Sequence, residues 1–256
     1  MIYNDRIDTP EVPEVPPEPD SPPAANSATN EIRPHLPIAA GWHTFAVVLV
    51  LLVISLISIW PRTLGPLLPR VGRTTTYITM ILMEWLVLAF VWWGVRRGGF
   101  KFRELIGGKA TFVSTLNDIG IAVVFMVVAG IILRALFALV VAVPSRMFPL
   151  LPRGPTELLL FLALSLTAGV CEEIIWRGYL QKQFTAFTGN VLAGTIIQAV
   201  IFGVAHGYQG LKYMSAITVY GYMLGLLAHW RRSLRPGMIA HGLQDSLVGL
   251  LGYLIH

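Results

Sequence analysis

Long apolar runs recur along this chain, and short segments rich in proline, glycine or charge separate them. As helices, these runs are long enough to cross the roughly 30 Å hydrocarbon core of a bilayer, where lipid cannot satisfy an exposed backbone. We therefore predict an all-α, polytopic membrane helix bundle of about seven transmembrane helices, or eight if one short span is hidden. The predicted spans are residues 43–60, 76–95, 117–142, 157–176, 191–206, 213–230 and 237–254.

Composition supports this fold class and excludes an ordinary soluble domain. Of the 256 residues, 55% are hydrophobic and 13% are charged, and the mean hydropathy is +0.66. Soluble domains carry about 25% charged residues. The single cysteine, Cys171, excludes an intrachain disulfide. We interpret it as a small buried residue rather than a nucleophile, because a thiol in apolar surroundings packs as a hydrophobe.

Residues 1–37 differ from the rest of the chain, with nine prolines, seven acidic residues and two basic ones. Such a segment cannot bury enough apolar surface to offset the entropy of ordering it. We predict that residues 1–40 are a disordered, acidic, proline-rich tail without the features of a signal peptide. Its charge of −5 leaves +10 on the remainder, against +5 overall. That balance suits anionic lipid headgroups better than nucleic acid.

Lysine and arginine are unevenly distributed over the segments that connect the predicted spans. The N-terminal tail and the segments after spans two, four and six carry 12 of them, whereas the alternate segments carry 6. Basic residues concentrate on the cytoplasmic side of membrane proteins. We therefore expect the N-terminus in the cytoplasm.

Charged residues inside apolar runs are costly, so each one predicts a partner or a polar cavity. Glu84 and Arg134 stand at matching depths in the second and third spans, which predicts a structural ion pair between neighbouring helices. Glu173 and Arg177 are four positions apart on one helix face and are expected to neutralise each other. Glu172 then lacks a local partner, which makes it the candidate for chemistry.

Three motifs with i, i+4 spacing lie in the second half of the chain. A single histidine in a membrane helix is more often packed against a neighbouring helix than functional. Carboxylates and histidines on three separate spans are harder to explain in that way, because together they can hold a metal or polarise a water molecule. The motifs are Glu172-Glu173-x-x-x-Arg177, Phe202-x-x-x-His206 and His241-x-x-x-Asp245.

The depth of these motifs in the membrane is only partly predictable. If the fourth span continues as a helix through residues 179–184, Glu172 and His206 each lie 17 positions from the turn at Gly189, and so at one depth. The alternative is that residues 179–184 lie in the interface. His241 follows Pro236 by only five positions, so the sequence leaves its depth open.

In this order, the three motifs resemble those of the CPBP intramembrane protease family, which includes type II CAAX prenyl endopeptidases and bacterial Abi relatives. The resemblance covers about residues 158–254. Residues 176–180 resemble the family's aromatic-Arg-Gly-x-Leu, and residues 233–241 resemble its approach to the third motif. It implies a peptidase core at residues 157–256, preceded by accessory transmembrane helices at residues 41–156.

The resemblance implies an intramembrane endopeptidase in which Glu172 activates a water molecule beside His206. His241 and Asp245 would bind or polarise the scissile carbonyl, or ligate a metal. Three further residues would support the site: Glu173, Arg177 and Phe202.

Two mechanisms stay open, a water activated by glutamate and a zinc site on His206, His241 and Asp245. The family often has an amide at the position of Asp245. An ionised aspartate cannot donate a hydrogen bond to an oxyanion, but it is a good metal ligand or partner for His241. This substitution favours zinc slightly.

The resemblance also implies partners and a location. We expect membrane lipids around the protein, in the bacterial inner membrane, and a peptide or protein substrate that is prenylated or is a processed leader. One alternative is a non-catalytic bacteriocin-immunity or binding relative with the same fold. A proton- or ion-coupled transporter is the other, and the lack of internal repeats of spans speaks against it.

Overall fold

The computed structural model describes residues 36–63, 72–108, 110–139 and 150–255. The predicted acidic tail lies outside these residues, except for residues 36–40. Within them there is no β-strand, and the chain is a bundle of helices, which confirms the predicted fold class. The helices are α1 (Gly41–Thr63), α2 (Arg73–Arg97), α3 (Phe102–Ile106), α4 (Phe112–Leu139), α5 (Pro155–Glu173), α6 (Gln181–Thr188), α7 (Val191–Ala205), α8 (Leu211–Arg231) and α9 (Arg235–Ile255).

Each of the seven predicted spans overlaps a helix of this set, and the last three residues of the third span, 140–142, lie outside the described residues. Among the described residues, four helical stretches are long and apolar enough to cross a membrane, namely Gly41–Ser58, Arg73–Arg97, Phe112–Leu136 and Pro155–Thr188. Val191–Ala205 is a shorter apolar helix. The bundle therefore has the composition of an integral membrane protein.

Helices α5 and α6 form one continuous rod, joined by a π-helical segment at Ile174–Leu180. This rod confirms that the fourth span continues through residues 179–184. It ends at Gly189, whose φ of +66° is left-handed, a conformation that glycine adopts without steric cost. Asn190 then begins α7, and its side-chain oxygen accepts a hydrogen bond from the backbone N–H of Ala193 at 3.1 Å.

The π-helical segment lies at the centre of the bundle. All seven of its residues are buried. The five apolar and aromatic ones join the largest apolar cluster together with Cys171 from the end of α5 and Phe202 from α7. π-Helical turns are uncommon and occur frequently at functional sites. Here the segment begins directly after Glu172 and Glu173. The first of the three motifs therefore lies in the buried interior of the bundle.

The helices pack in an order that differs from their order in the chain. The α5 helix packs against α9 and α2, whereas α7 packs against α6 and α8. The α4 helix packs against α9 and α8, and α1 contacts α7 and the 3₁₀ turn Gly207–Gln209 that follows it. This arrangement surrounds the end of α5 with residues from α2, α7, α8 and α9.

Helices α5 and α9 approach each other closely through glycines. A Cβ atom at Gly169 would lie 2.7 Å from the backbone nitrogen of Gly242 and 2.8 Å from the carbonyl oxygen of Met238. Small residues allow the backbones of membrane helices to approach in this way. The contact brings the first turns of α9 to the level of the end of α5.

A buried polar network fastens the beginning of α1 to the rod. The ring of His43 lies 2.7 Å from the Tyr179 hydroxyl through Nδ1 and 3.0 Å from the carbonyl oxygen of Phe90 through Nε2. Gln183 donates to the hydroxyl of Thr44 at 2.6 Å. These bonds satisfy polar groups that would otherwise be costly to bury.

Candidate active site

The residues of the three predicted motifs converge although they come from separate helices. Glu172 and Glu173 end α5, and Arg177 lies in the π-helical segment. His206 caps the C-terminus of α7, four positions after Phe202. The third motif, with His241 and Asp245, occupies the second and third turns of α9.

Glu173 holds the centre of this arrangement. Its Oε1 atom accepts a hydrogen bond from Nη1 of Arg177 at 2.8 Å, which confirms the predicted ion pair. The same oxygen lies 3.0 Å from Nδ1 of His241. Glu173, Arg177 and His241 are all buried. Because isolated charges at this depth are costly, the ion pair keeps both groups in the core.

Arg177 is fixed on two further sides. Its Nη2 donates to the carbonyl oxygen of Gly221 on α8 at 3.3 Å. Its guanidinium lies over the ring of Phe202, 4.3 Å from the centroid, in the geometry of a cation–π contact. A Cβ atom at Gly221 would meet the Phe202 ring at 2.7 Å, so the stack requires glycine there.

His241 faces three carboxylates. Nδ1 contacts Glu173, whereas Nε2 lies 3.6 Å from Oδ2 of Asp245 and 3.9 Å from Oε2 of Glu172. The third motif is therefore level with the first, a point that the sequence left open. The close contact of Gly169 with Gly242 explains this, since it places the first turns of α9 directly against the end of α5.

Glu172 is the least neutralised carboxylate of the three motifs within the bundle. No basic residue of its own helix pairs with it among the described residues, and its Oε2 atom is buried without a hydrogen-bond partner there. Its side chain is 15% exposed, whereas that of Asp245 is 40% exposed. Glu172 thus combines a free acceptor with access from outside the core.

One of the two ring nitrogens of His206 has a hydrogen-bond partner in the described part of the chain. Its Nδ1 lies 2.8 Å from the carbonyl oxygen of Phe202, and because a carbonyl can only accept, Nδ1 carries the hydrogen. In the neutral ring, Nε2 is therefore an acceptor. The ring packs on Phe202, with centroids 4.6 Å apart, and Phe202 lies 6.4 Å from the ring of His241. Phe202 therefore lies between the rings of the two histidines, and its role in lining the site stays a prediction.

Glu84 belongs to this site, and its predicted ion pair with Arg134 is wrong. Its carboxyl group lies close enough to that of Glu172 to interact with it, and within electrostatic reach of Asp245. Arg134 is exposed on α4. The prediction failed because α2 packs against α5 while α4 packs on α8 and α9. Two carboxylates this close repel each other unless one of them carries a proton.

Tyr220 is a second residue that the sequence did not indicate. Its ring lies 6.1 Å from that of His241, nearly perpendicular to it. Its side chain is buried, and its hydroxyl has no hydrogen-bond partner among the described residues. A tyrosine in an apolar helix usually packs in the hydrophobic core. Only the folded structure shows that Tyr220 lies beside His241.

The predicted zinc ligands are not arranged as a ligand set. Within the described part of the chain, no three His, Cys, Asp or Glu side chains are grouped so that they could hold a metal ion. His241 uses Nδ1 for Glu173, and its Nε2 lies 3.6 Å from Asp245. Zinc on these residues stays a prediction.

Comparison with known families finds a match in the second half of the chain. Residues 154–247 match the Rce1-like type II CAAX prenyl endopeptidase family. This Rce1-like segment contains all the residues of the three motifs, and it confirms the resemblance seen in the sequence. At the level of the family, the match supports a CAAX-protease-type intramembrane endopeptidase. No curated protein and no solved structure gives a significant match to the chain.

Of the two site residues that the sequence did not indicate, one lies inside the Rce1-like segment and the other outside it. Tyr220 lies inside it, on α8, whereas Glu84 lies on α2, outside it. The family match together with the long apolar helices points to an integral membrane protein. Residues from both parts of the chain thus surround Glu172.

Proposed function

We propose that this protein is an intramembrane endopeptidase that hydrolyses a peptide bond with a water molecule activated by Glu172. The observation that carries the proposal is the position of Glu172. Its Oε2, which has no hydrogen-bond partner among the described residues, lies 3.9 Å from Nε2 of His241 inside a largely apolar bundle. A general base needs such an acceptor within reach of its water and shielded from bulk solvent.

In the proposed reaction, a water molecule lies between Glu172 and Nε2 of His206. Glu172 takes one proton as the water oxygen bonds to the scissile carbonyl carbon, and His206 accepts a hydrogen bond from the other. The carbon–nitrogen bond then breaks, and the proton passes from Glu172 to the leaving amine. This sequence balances the consumption of one water for each bond cleaved.

Glu173 and Arg177 act as positioning residues in this proposal. Glu173 contacts Nδ1 of His241 and so directs Nε2 toward Glu172 and Asp245. Arg177 neutralises Glu173 and is itself held by Gly221 and Phe202. His241 and Asp245 bind the carbonyl side of the substrate.

Zinc on His206, His241 and Asp245 stays a prediction and enters no step of this mechanism, because these side chains are not placed as a ligand set. Metal content is measurable by mass spectrometry on protein purified in detergent, beside His206→Ala and Asp245→Ala. Stoichiometric zinc lost in both variants, with activity lost in parallel, would replace glutamate-activated water with a metal mechanism.

We propose that the substrate is a peptide or protein with a prenylated C-terminus, which reaches the site from the membrane. The apolar outer faces of the helices suit such a molecule, because a prenyl chain partitions into lipid. We place the protein in a bacterial inner membrane with its N-terminus in the cytoplasm, in contact with lipids and not with nucleic acid.

The test is cleavage of a farnesylated peptide carrying a fluorophore and a quencher on either side of the bond, with the unprenylated peptide for comparison. Purified wild-type protein in detergent or vesicles should cleave the farnesylated peptide, and Glu172→Gln should not. Cleavage of the unprenylated peptide alone would contradict the substrate. No cleavage of either peptide would favour a non-catalytic relative of the same fold.

A further inference from the structure

The site is rich in hydrogen-bond acceptors and poor in free donors. Hydrolysis of a peptide bond needs a donor for the negative oxygen that develops on the carbonyl. An ionised Asp245 can only accept. The Nδ1–H of His206 is already used on Phe202, and Nδ1 of His241 contacts Glu173. Nε2 of His241, which donates when the ring is protonated, is then the one motif donor near Glu172 and Asp245 among the described residues. Because an oxyanion hole commonly uses two donors, the motif residues alone leave one donor position unfilled.

Two buried donors close to the site lack a hydrogen-bond partner among the described residues, Nε of Arg177 and the hydroxyl of Tyr220. The guanidinium of Arg177 is held in place by Glu173, Gly221 and the Phe202 ring. It cannot turn toward a substrate without breaking the buried ion pair. The Tyr220 hydroxyl has no such bonds to break.

Tyr220 is placed to serve this site rather than the core alone. Its ring packs beside His241, with centroids 6.1 Å apart and planes at 84°. Its hydroxyl lies within electrostatic reach of Asp245, Glu173 and Arg177. Only 6% of the residue is exposed. Burying a hydroxyl without a partner is costly, and unsatisfied groups of this kind call for a functional explanation.

We infer that Tyr220 is a catalytic residue whose hydroxyl donates a hydrogen bond to the developing oxyanion of the scissile carbonyl. It supplies the donor that Asp245 cannot. Leu224, Leu227 and Ala129 pack with the tyrosine in one apolar cluster, which fixes the ring and leaves the hydroxyl as its polar end. The inference rests on the proposed peptidase function.

The experiment compares Tyr220→Phe with Tyr222→Phe in the farnesyl-peptide assay, on full-length protein. Tyr222 lies on the same helix, half-buried, and two positions along a helix turn it about 200° away. Tyr220→Phe should lower kcat by roughly 100-fold, as removal of an oxyanion donor does. KM should change little, and Tm should be unchanged or higher because an unpaired buried hydroxyl is removed. Tyr222→Phe should match the wild type.

A double-variant cycle with Asp245→Asn supplies an independent readout. Asparagine can donate a hydrogen bond, so the loss caused by Tyr220→Phe should be smaller in the Asp245→Asn background than in the wild-type background. An equal loss in both backgrounds would contradict the donor role. A Tyr220→Phe protein that cleaves at the wild-type rate, or whose Tm falls together with kcat, would overturn the inference while the proposed function stands. A wild type that cleaves nothing would overturn both.

Discussion

Nδ1 of His241 lies 3.0 Å from Oε1 of Glu173, although 68 positions separate the two residues in the sequence. This contact joins the first motif to the third across the interface between α5 and α9. It also fixes which ring nitrogen of His241 faces the open part of the site, where Glu172 and Asp245 lie.

Glu172→Gln should reduce cleavage by at least about 100-fold, because an amide cannot take a proton from water. The folded protein should be recovered in normal yield, with Tm within a few degrees of the wild type. Cleavage rate and thermal unfolding in detergent are measured on the same preparations. Glu104→Gln on α3, away from the motif residues, is the matched control and should behave as the wild type. Substantial activity in Glu172→Gln would remove its role as the base.

Glu173→Gln should lower stability as well as activity, because Arg177 would become a buried charge without its ionic partner. Breaking such a pair costs about 3–5 kcal/mol. Removing both charges in Glu173→Gln/Arg177→Met should cost less than this single change. Thermal unfolding in detergent ranks the stability of the wild type, the single variant and the double variant. A double variant less stable than the single one would show that the ion pair is not what holds the core together.

Glu84→Gln and Glu84→Leu should differ in activity. The amide of glutamine can still donate a hydrogen bond to Glu172, so Glu84→Gln should keep most of the cleavage rate. Leucine has a similar size and no donor, so Glu84→Leu should lose on the order of 10-fold or more, consistent with a charge-assisted hydrogen bond of about 1.5–3 kcal/mol. The cleavage rates of the two variants are compared. Equal rates would place Glu84 outside the working site.

Gly169→Ala should impair cleavage although it adds a single methyl group. The new Cβ would lie 2.7 Å from the nitrogen of Gly242, and because that atom is backbone, α5 and α9 must separate. Gly120→Ala on α4 is the control, since nothing lies within 4 Å of a Cβ there. That control should be neutral or slightly stabilising, because alanine favours a helix over glycine by about 1 kcal/mol. Wild-type activity in Gly169→Ala would show that α5 and α9 can accommodate a methyl group without moving the site residues.

Features that depend on neighbours in the sequence could be predicted. The spans follow from apolar length, and the turn at Gly189 and Asn190 follows from the local preferences of those residues. The ion pair of Glu173 with Arg177 follows from helical spacing. The family match confirms what the three motifs indicated together.

Features that depend on which helices pack together could not be predicted. Glu84 was assigned to Arg134 because their depths agree, whereas α2 in fact packs on α5 and brings Glu84 to Glu172. The depth of His241 is set by the contact of Gly169 with Gly242, which leaves no periodic signal. Tyr220 has the residue type of any buried aromatic, and only its position beside His241 distinguishes it.

The contact between Gly169 and the backbone of α9 sets a lower limit on the distance between Glu173 and His241, and so on the width of the site. Where two helices already touch through their backbones, no side chain remains that could be shortened to bring them nearer. Any substitution at Gly169 can therefore widen the gap between Glu173 and His241, but none can narrow it. Single substitutions along this interface can therefore enlarge the site for a bulkier substrate. Substitutions that narrow the site, so that it binds a smaller substrate more tightly, would have to be made on α2 or α8.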